Sequence, residues 1–238
     1  GSKLQGEALE LAVRDTIEQL RASKRPLLWL GVGIRMAGAA DRIARFVDTL
    51  GVPTLVSWSA KDLLPSDHCL LMGSAGIYGQ RAANFILQSC DSLLAIGTRL
   101  AIPQVGYDIT ELARAANDIT VVDIDPCELK KYPERINCPI CADAGDFINE
   151  LLAQTEITNL HTKRDWVQWC SEVRRRFPLI GPEHADKDGF INSYRFMDKL
   201  ATLMKPDQIV ITDMGTALLS GHQAIQITPP QRLITSQG

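Results

Sequence analysis

The sequence has no apolar run approaching the ~18–20 residues that span a bilayer, and its N-terminus lacks the basic, apolar and cleavage regions of a secretory leader. A soluble, cytoplasmic protein with no membrane partner is the expectation. Basic blocks are missing too: 25 Lys and Arg stand against 28 Asp and Glu, a formal charge of −3, so no cationic surface for a phosphate backbone is written in. Nucleic acid is therefore not an expected partner. The cysteines Cys69, Cys90, Cys127, Cys138, Cys141 and Cys170 are dispersed, which argues against a disulfide framework and for free thiols. His68, His161, His184 and His222 are scattered, and none sits in a recognisable nucleophile motif. No catalytic triad is indicated.

What is present is ordinary globular material: 238 residues, 45% hydrophobic and 22% charged, enough for one full domain and part of a second. Leu9, Ala12, Val13, Ile17 and Leu20 mark an amphipathic helix within residues 1–24, expected to pack on the flank of a sheet. Gly1 and Ser2 ahead of it read as a cloning remnant. Over 25–153, β-rich runs at 27–30, 54–57, 92–96, 119–123 and 139–142 alternate with helical periods such as Ile43, Phe46, Val47 and Leu50. Five parallel strands with crossover helices predict an α/β domain, a doubly wound parallel sheet of Rossmann-like type.

Residues 154–189 read as a linker carrying a helix. Its first part, 154–163, is polar and aperiodic; Trp166, Trp169, Cys170, Val173 and Phe177 then line one helical face, expected to be core, until Pro178 stops it. A second unit spans 190–238, with helix, strand, helix and strand in that order. So few elements cannot bury an independent core, so this unit is expected to be a truncated α/β domain.

Several motifs fall where open α/β sheets bind ligands, at the carboxyl ends of strands. Gly31, Val32 and Gly33 end the first strand; they are a strand-to-helix turn or a phosphate or ribose contact. The third glycine of a dinucleotide fingerprint would fall at Met36, and no acid ends the second strand, which disfavours an ordinary NAD dehydrogenase. The glycine-rich stretch from Gly73 to Gly79 precedes a helix, and Gly97, Thr98 and Arg99 follow a strand. Asp123 and Asp125 end the fourth strand, where a carboxylate either accepts ribose hydroxyls or starts a turn ahead of Pro126. Cys138 and Cys141 have CxxC spacing, but no second ligand pair completes a zinc site.

Taken in order, LLWLGVGIRMAGA, PTLVSWSAKDLLPSDH, GIYGQRAANFILQSCDSLLAIGTRL, VVDIDPCELKK and ICADAGDFI resemble the central region of thiamine-diphosphate-dependent enzymes of the acetolactate synthase-like family. IVITDMGTALLSGHQ continues the resemblance into the opening of the C-terminal diphosphate-binding domain. The resemblance implies a Rossmann-like, DHS-like central domain over 25–153 that binds FAD or ADP, and the start of a thiamine-diphosphate-binding domain over 190–238. By position it implies nucleotide contacts from Gly31, Val32, Gly33, Ser57, Trp58, Ala75, Gly76, Ile77, Tyr78, Gly97, Thr98, Arg99, Val105, Asp123, Ile124, Asp143 and Ala144. Gly215, Thr216 and Ala217 are implied for thiamine diphosphate; the Thr-Ala pair stands where acetolactate synthases usually carry Gln-His.

The implied parent is a homodimeric or homotetrameric carboligase. It decarboxylates a 2-keto acid and transfers the two-carbon unit to a carbonyl acceptor. Its cofactor-activating glutamate is expected in a domain ahead of this chain and its Mg²⁺ motif beyond Gly238, so the chain alone is predicted to be inactive, with no catalytic residue and no metal ligand of its own. A stand-alone nucleotide-binding module and a thiamine-dependent decarboxylase or lyase are the alternative readings.

Overall fold

The computed structural model describes residues 3–155 and 163–235. The linker expected over 154–163 falls mostly outside them, as do Gly1, Ser2 and the last three residues of the chain.

The chain opens with α1 (Glu7–Ala22), then β1 (Pro26–Leu30), a short α2 (Gly33–Met36), α3 (Ile43–Leu50) and β2 (Thr54–Val56). Next come β3 (Leu71–Gly73), α4 (Arg81–Ser89), β4 (Ser92–Ile96), a short α5 (Ile102–Val105), β5 (Asp118–Asp123) and a short α6 (Pro126–Leu129). The domain closes with β6 (Cys138–Cys141) and α7 (Ala144–Thr155). After it follow α8 (Arg164–Arg176), α9 (Ser193–Ala201), β7 (Ile209–Thr212), α10 (Thr216–Ala224) and β8 (Arg232–Thr235).

The first six strands form one parallel sheet in the order β3-β2-β1-β4-β5-β6. This is a doubly wound α/β fold. One strand more is present than the five expected: β3 is three residues long, ends in Gly73 and pairs only with β2 through a register shift. Too short to show alternation, it reads in the sequence as part of a loop.

The strands alternate their side chains between two cores, as a period of two requires. Leu28, Leu30, Val56, Leu94, Ile96 and Val122 point to one face, where α1, α3 and α7 cover them with Val13, Ile17, Phe46, Leu50 and Phe147. Leu27, Trp29, Leu55, Leu93, Ala95 and Val121 point to the other, under α4 and α8, with Ile86, Leu87, Trp166 and Cys170. Each large side chain sealed this way contributes about 1.5–3 kcal/mol of transfer free energy. α3 ends where Gly51 adopts φ 63° and its N–H bonds the Val47 carbonyl at 2.9 Å, a left-handed C-terminal stop.

α8 is pinned at both ends. The Trp166 indole N–H donates to the Pro26 carbonyl at 2.8 Å, beneath the start of β1. At the other end Arg174 donates to the carbonyls of Leu71 at 2.7 Å and Ser66 at 3.0 Å. The stripe expected to be core is split: Trp166 and Cys170 are buried, but Trp169 stays 38% exposed and stacks on Trp166 at 5.0 Å. The helix packs by one narrow edge, which Trp166 fills.

In the C-terminal unit β7 and β8 pair in parallel, and only Ile225, Ile227 and Leu233 form a small buried cluster. Several polar contacts join this unit to the central domain. Asp62 Oδ1 takes Arg35 at 2.9 Å, and Oδ2 takes Arg232 and the Leu233 N–H. Ser66 exchanges two bonds with Ile227, each 2.8 Å.

A crevice at the sheet switch point

β1 and β4 are neighbours, and the chain leaves them in opposite directions, so the turns after them meet at the topological switch point. The two turns touch through backbone. Gly31 N–H donates to the Ile96 carbonyl and Gly33 N–H to the Gly97 carbonyl, both at 2.9 Å. A Cβ at Gly31 would fall 2.1 Å from the Gly97 oxygen, and Gly97 itself holds φ 59° with its would-be Cβ 2.9 Å from the Ile34 nitrogen. Glycine is required here by close approach as well as by conformation.

Above this floor lies a cavity of about 700 Å³, within the range of small-molecule sites. It brings together seven of the residues singled out for the nucleotide (Val32, Ser57, Trp58, Tyr78, Gly97, Thr98 and Arg99) with Gly215 from the thiamine set. Trp58 stands between Tyr78, with ring centroids 5.7 Å apart, and His222, at 5.9 Å. Met214, Gly215, Leu218 and Leu219 bring the beginning of α10 to the opposite wall, Gly215 with φ 84° at its cap.

Two polar devices shape the rim. Gln104 donates to the Thr98 hydroxyl at 2.9 Å and accepts from the Ala101 N–H at 3.0 Å, fixing α5 over the Gly-Thr-Arg turn. Glu128 receives Arg99 at 2.7 Å and Lys131 at 2.6 Å, and Lys131 also donates to the Arg99 carbonyl at 2.7 Å. Partial burial pushes the Glu128 carboxyl up, but the hydrogen bonds from Lys131 and Arg99 outweigh it and hold it below the usual range. Glu128 thus stays ionised and keeps the two cations at the mouth.

The other candidates are not in the cavity lining, Gly31 and Gly33 among them, which pack against Gly97 beneath it. Ala75 is buried. Gly76 is gripped by Asn84, which accepts from its N–H at 2.9 Å and donates to its carbonyl at 3.0 Å, while Ile77 N–H reaches the Pro103 carbonyl at 2.8 Å. Val105 belongs to the core beneath. Asp123 ends β5 with Oδ1 accepting from the Asp125 N–H at 2.9 Å, and partial burial raises its pKa. Ile124 beside it is exposed. Asp143 caps α7, accepting from Gly145 at 2.8 Å and Asp146 at 3.1 Å, and Ala144 is buried behind it. Thr216 and Ala217 form the first turn of α10 without lining the cavity.

Sequence reasoning missed Ser59, Gln104, Lys131 and Leu218 as cavity residues. Only Lys131, in a lysine pair just after the Asp-Pro turn, left a trace that could have been followed.

Residues 13–151, from within α1 to within α7 and so including the whole six-stranded sheet, match the family described as thiamine pyrophosphate enzyme, central domain. The chain belongs to the thiamine pyrophosphate enzymes. It is 30% identical over 229 residues to the acetolactate synthase isozyme 1 large subunit of Escherichia coli, covering 96% of this chain and 39% of that protein. It is 28% identical over 234 residues to a probable acetolactate synthase large subunit of Methanocaldococcus jannaschii, again 96% and 39%. With an acetolactate synthase of Mycobacterium bovis it shares 28% over 230 residues, 95% of this chain and 36% of the other. The chain thus spans well under half the length of these relatives. This thiamine pyrophosphate enzyme chain is acetolactate synthase-like, and among its described residues no helix is long and apolar enough to cross a membrane.

Proposed function

We propose that this chain is part of a cytoplasmic, homo-oligomeric carboligase that decarboxylates a 2-keto acid and transfers the two-carbon unit to a carbonyl acceptor, and that its central domain holds FAD or ADP in the crevice. The observation that carries the reading is one cavity: the turns after β1, β2 and β4 converge in it with the beginning of α10. The fit to a nucleotide rests on the chemistry of that lining. Gly97 leaves main chain facing the cavity, Arg99 and Lys131 offer charge to a diphosphate, and Trp58 and Tyr78 offer ring faces. Asp123 lies one strand away, where a ribose would extend.

Thiamine diphosphate, when bound with Mg²⁺, supplies the carbanion chemistry of the parent enzyme. The residues of this chain assigned to it are Gly215, Thr216 and Ala217, whose backbone opens α10. No residue here is assigned to the metal. What the central domain does in this reading is bind, orient and exclude water: Gln104 fixes the turn, Glu128 sets the cations, and Trp58 braces the wall against His222.

Calorimetric titration with FAD and with ADP tests the reading. Saturable binding that drops about tenfold or more in Trp58→Ala is expected. Preference for FAD favours the synthase-like branch and preference for ADP the decarboxylase or lyase branch; failure of both to bind overturns the assignment of the crevice.

A further inference from the structure

A second cavity, of about 390 Å³, shares no lining residue with the crevice. Its walls come from the turn after β2, the beginning of α4, the end of α8 and the end of α10. Basic side chains dominate them: Lys61, Arg81 and Arg174 line the space together with His184, and Glu183, with a largely exposed side chain, is the one carboxylate among the lining residues. Asp67 acts on Arg174 from outside the lining.

Lys61 is only 7% exposed, and its Nζ donates to the carbonyls of His222 at 2.6 Å and Gln223 at 3.3 Å, in the last turn of α10. Those acceptors carry no net charge. The adjacent Asp62 is committed to Arg35 and Arg232, and among the described residues no ion pair joins Lys61 to a carboxylate. Burial alone draws the Lys61 ammonium down to about 7. Arg174 is partly buried; its two hydrogen bonds go to main-chain carbonyls, and burial lowers its pKa more than the nearby Asp67 raises it. Arg81, the second arginine of the lining, lies over the Phe177 ring at 5.0 Å.

A buried cation met only by neutral acceptors carries a standing desolvation cost, and a counter-ion that enters beside it removes much of that cost. Here Lys61, when protonated, is such a cation, and with the partly buried Arg174 it borders a space large enough for a small polyatomic ion. We propose that this cavity is a receptor for a dianionic oxyanion of the phosphate class, bound by Lys61 and Arg174 with Arg81 at its edge, and that its occupancy fastens the C-terminal unit to the central domain. Nothing in this assignment depends on what the crevice binds.

The test is calorimetric titration of the 238-residue chain with inorganic phosphate at fixed ionic strength. One saturable site is expected, weakened about tenfold or more in Arg174→Met and Lys61→Met, as loss of a charge-assisted bond requires. Arg81→Ala removes only an exposed side chain from the rim, and a several-fold loss there decides the matter if the buried variants do not fold. Heat that merely follows added NaCl, or affinity unchanged in Arg81→Ala and in each buried variant that folds, overturns the proposal.

A second readout uses sulfate, which does not titrate near neutrality, in a His184→Gln background. His222, held down to about 4 by burial and by Lys61, is neutral throughout. Sulfate affinity should then fall between about pH 6 and 8 as Lys61 loses its proton, and this dependence should vanish in Lys61→Met. Persistence of the dependence in that variant refutes the role of Lys61. Tighter binding of glycerol phosphate than of inorganic phosphate supports a metabolite's phosphoryl group as the natural occupant; the reverse supports the free ion.

Discussion

Replacing Gly31 by alanine adds one methyl group, yet it should be among the most damaging single changes in the central domain. Gly31 does not hold a positive φ, so the cost is one of space. The new Cβ would lie 2.1 Å from the Gly97 oxygen and 2.5 Å from the Thr98 Cα, both main-chain atoms that no rotamer change can move aside. The turns after β1 and β4 must separate, which strains or breaks the 2.9 Å bonds from Gly31 to Ile96 and from Gly33 to Gly97. Each interior bond left unmade costs about 1–3 kcal/mol, so a total of about 3–5 kcal/mol is expected. Gly38→Ala is the matched control: φ there is 70° but no atom lies within 4 Å of the added Cβ. Its cost is conformational alone, about 1–2 kcal/mol. Urea unfolding of the two variants and the parent compares them directly. A Gly31→Ala protein within about 1 kcal/mol of the parent, or no less stable than Gly38→Ala, refutes the reasoning.

Other expectations follow from the same structure. Phe147→Ala empties a fully buried site on α7 and should cost about 3–5 kcal/mol in the same urea assay. Asp62→Ala leaves Arg35 and Arg232 without their buried partner and should cost about 3–5 kcal/mol, with limited proteolysis showing early release of β8. His222 resists protonation down to about 4 when folded, against 6.5 unfolded, because burial and then the Lys61 charge disfavour its cation. The unfolded chain binds the extra proton between these values, so stability falls by roughly 2–3 kcal/mol as pH drops through that window; His222→Gln should flatten the profile. Lys61 titrates near 7 when folded and 10.5 when free, so with no phosphate present stability should rise by roughly 5 kcal/mol over that range, and Lys61→Met should abolish the rise.

The parallel sheet was legible because its buried strands are continuous apolar runs between helical periods: Leu27 to Leu30 and Leu93 to Ile96 admit few other readings. β3 was not, since three residues carry no period. The turns at Gly31, Trp58 and Gly97 were legible as strand ends, and the fold converts that one-dimensional property into a shared crevice. Asp143 shows what the sequence leaves unstated: it reads only as an acid after a strand, and the fold adds that it accepts from Gly145 and Asp146 at the start of α7. Gln104 and Lys61 matter through partners 6 and 161 residues away, and no local pattern announces such bonds.

The anchoring of α8 has a mechanical consequence. Thirteen residues of helix make a rod roughly 20 Å long, and with Trp166 fastened under β1 and Arg174 fastened to the β3 edge it acts as a strut across the sheet. α8 is therefore the stiff part of the segment between the two units. Beyond it, from Pro178 to Asn192, the N-cap of α9, the chain makes only a single 3-10 turn at Pro182–His184, and Asp188 and Gly189 both hold positive φ. The strut thus fixes where that stretch begins, and with it the path the chain takes to α10 and its wall of the crevice.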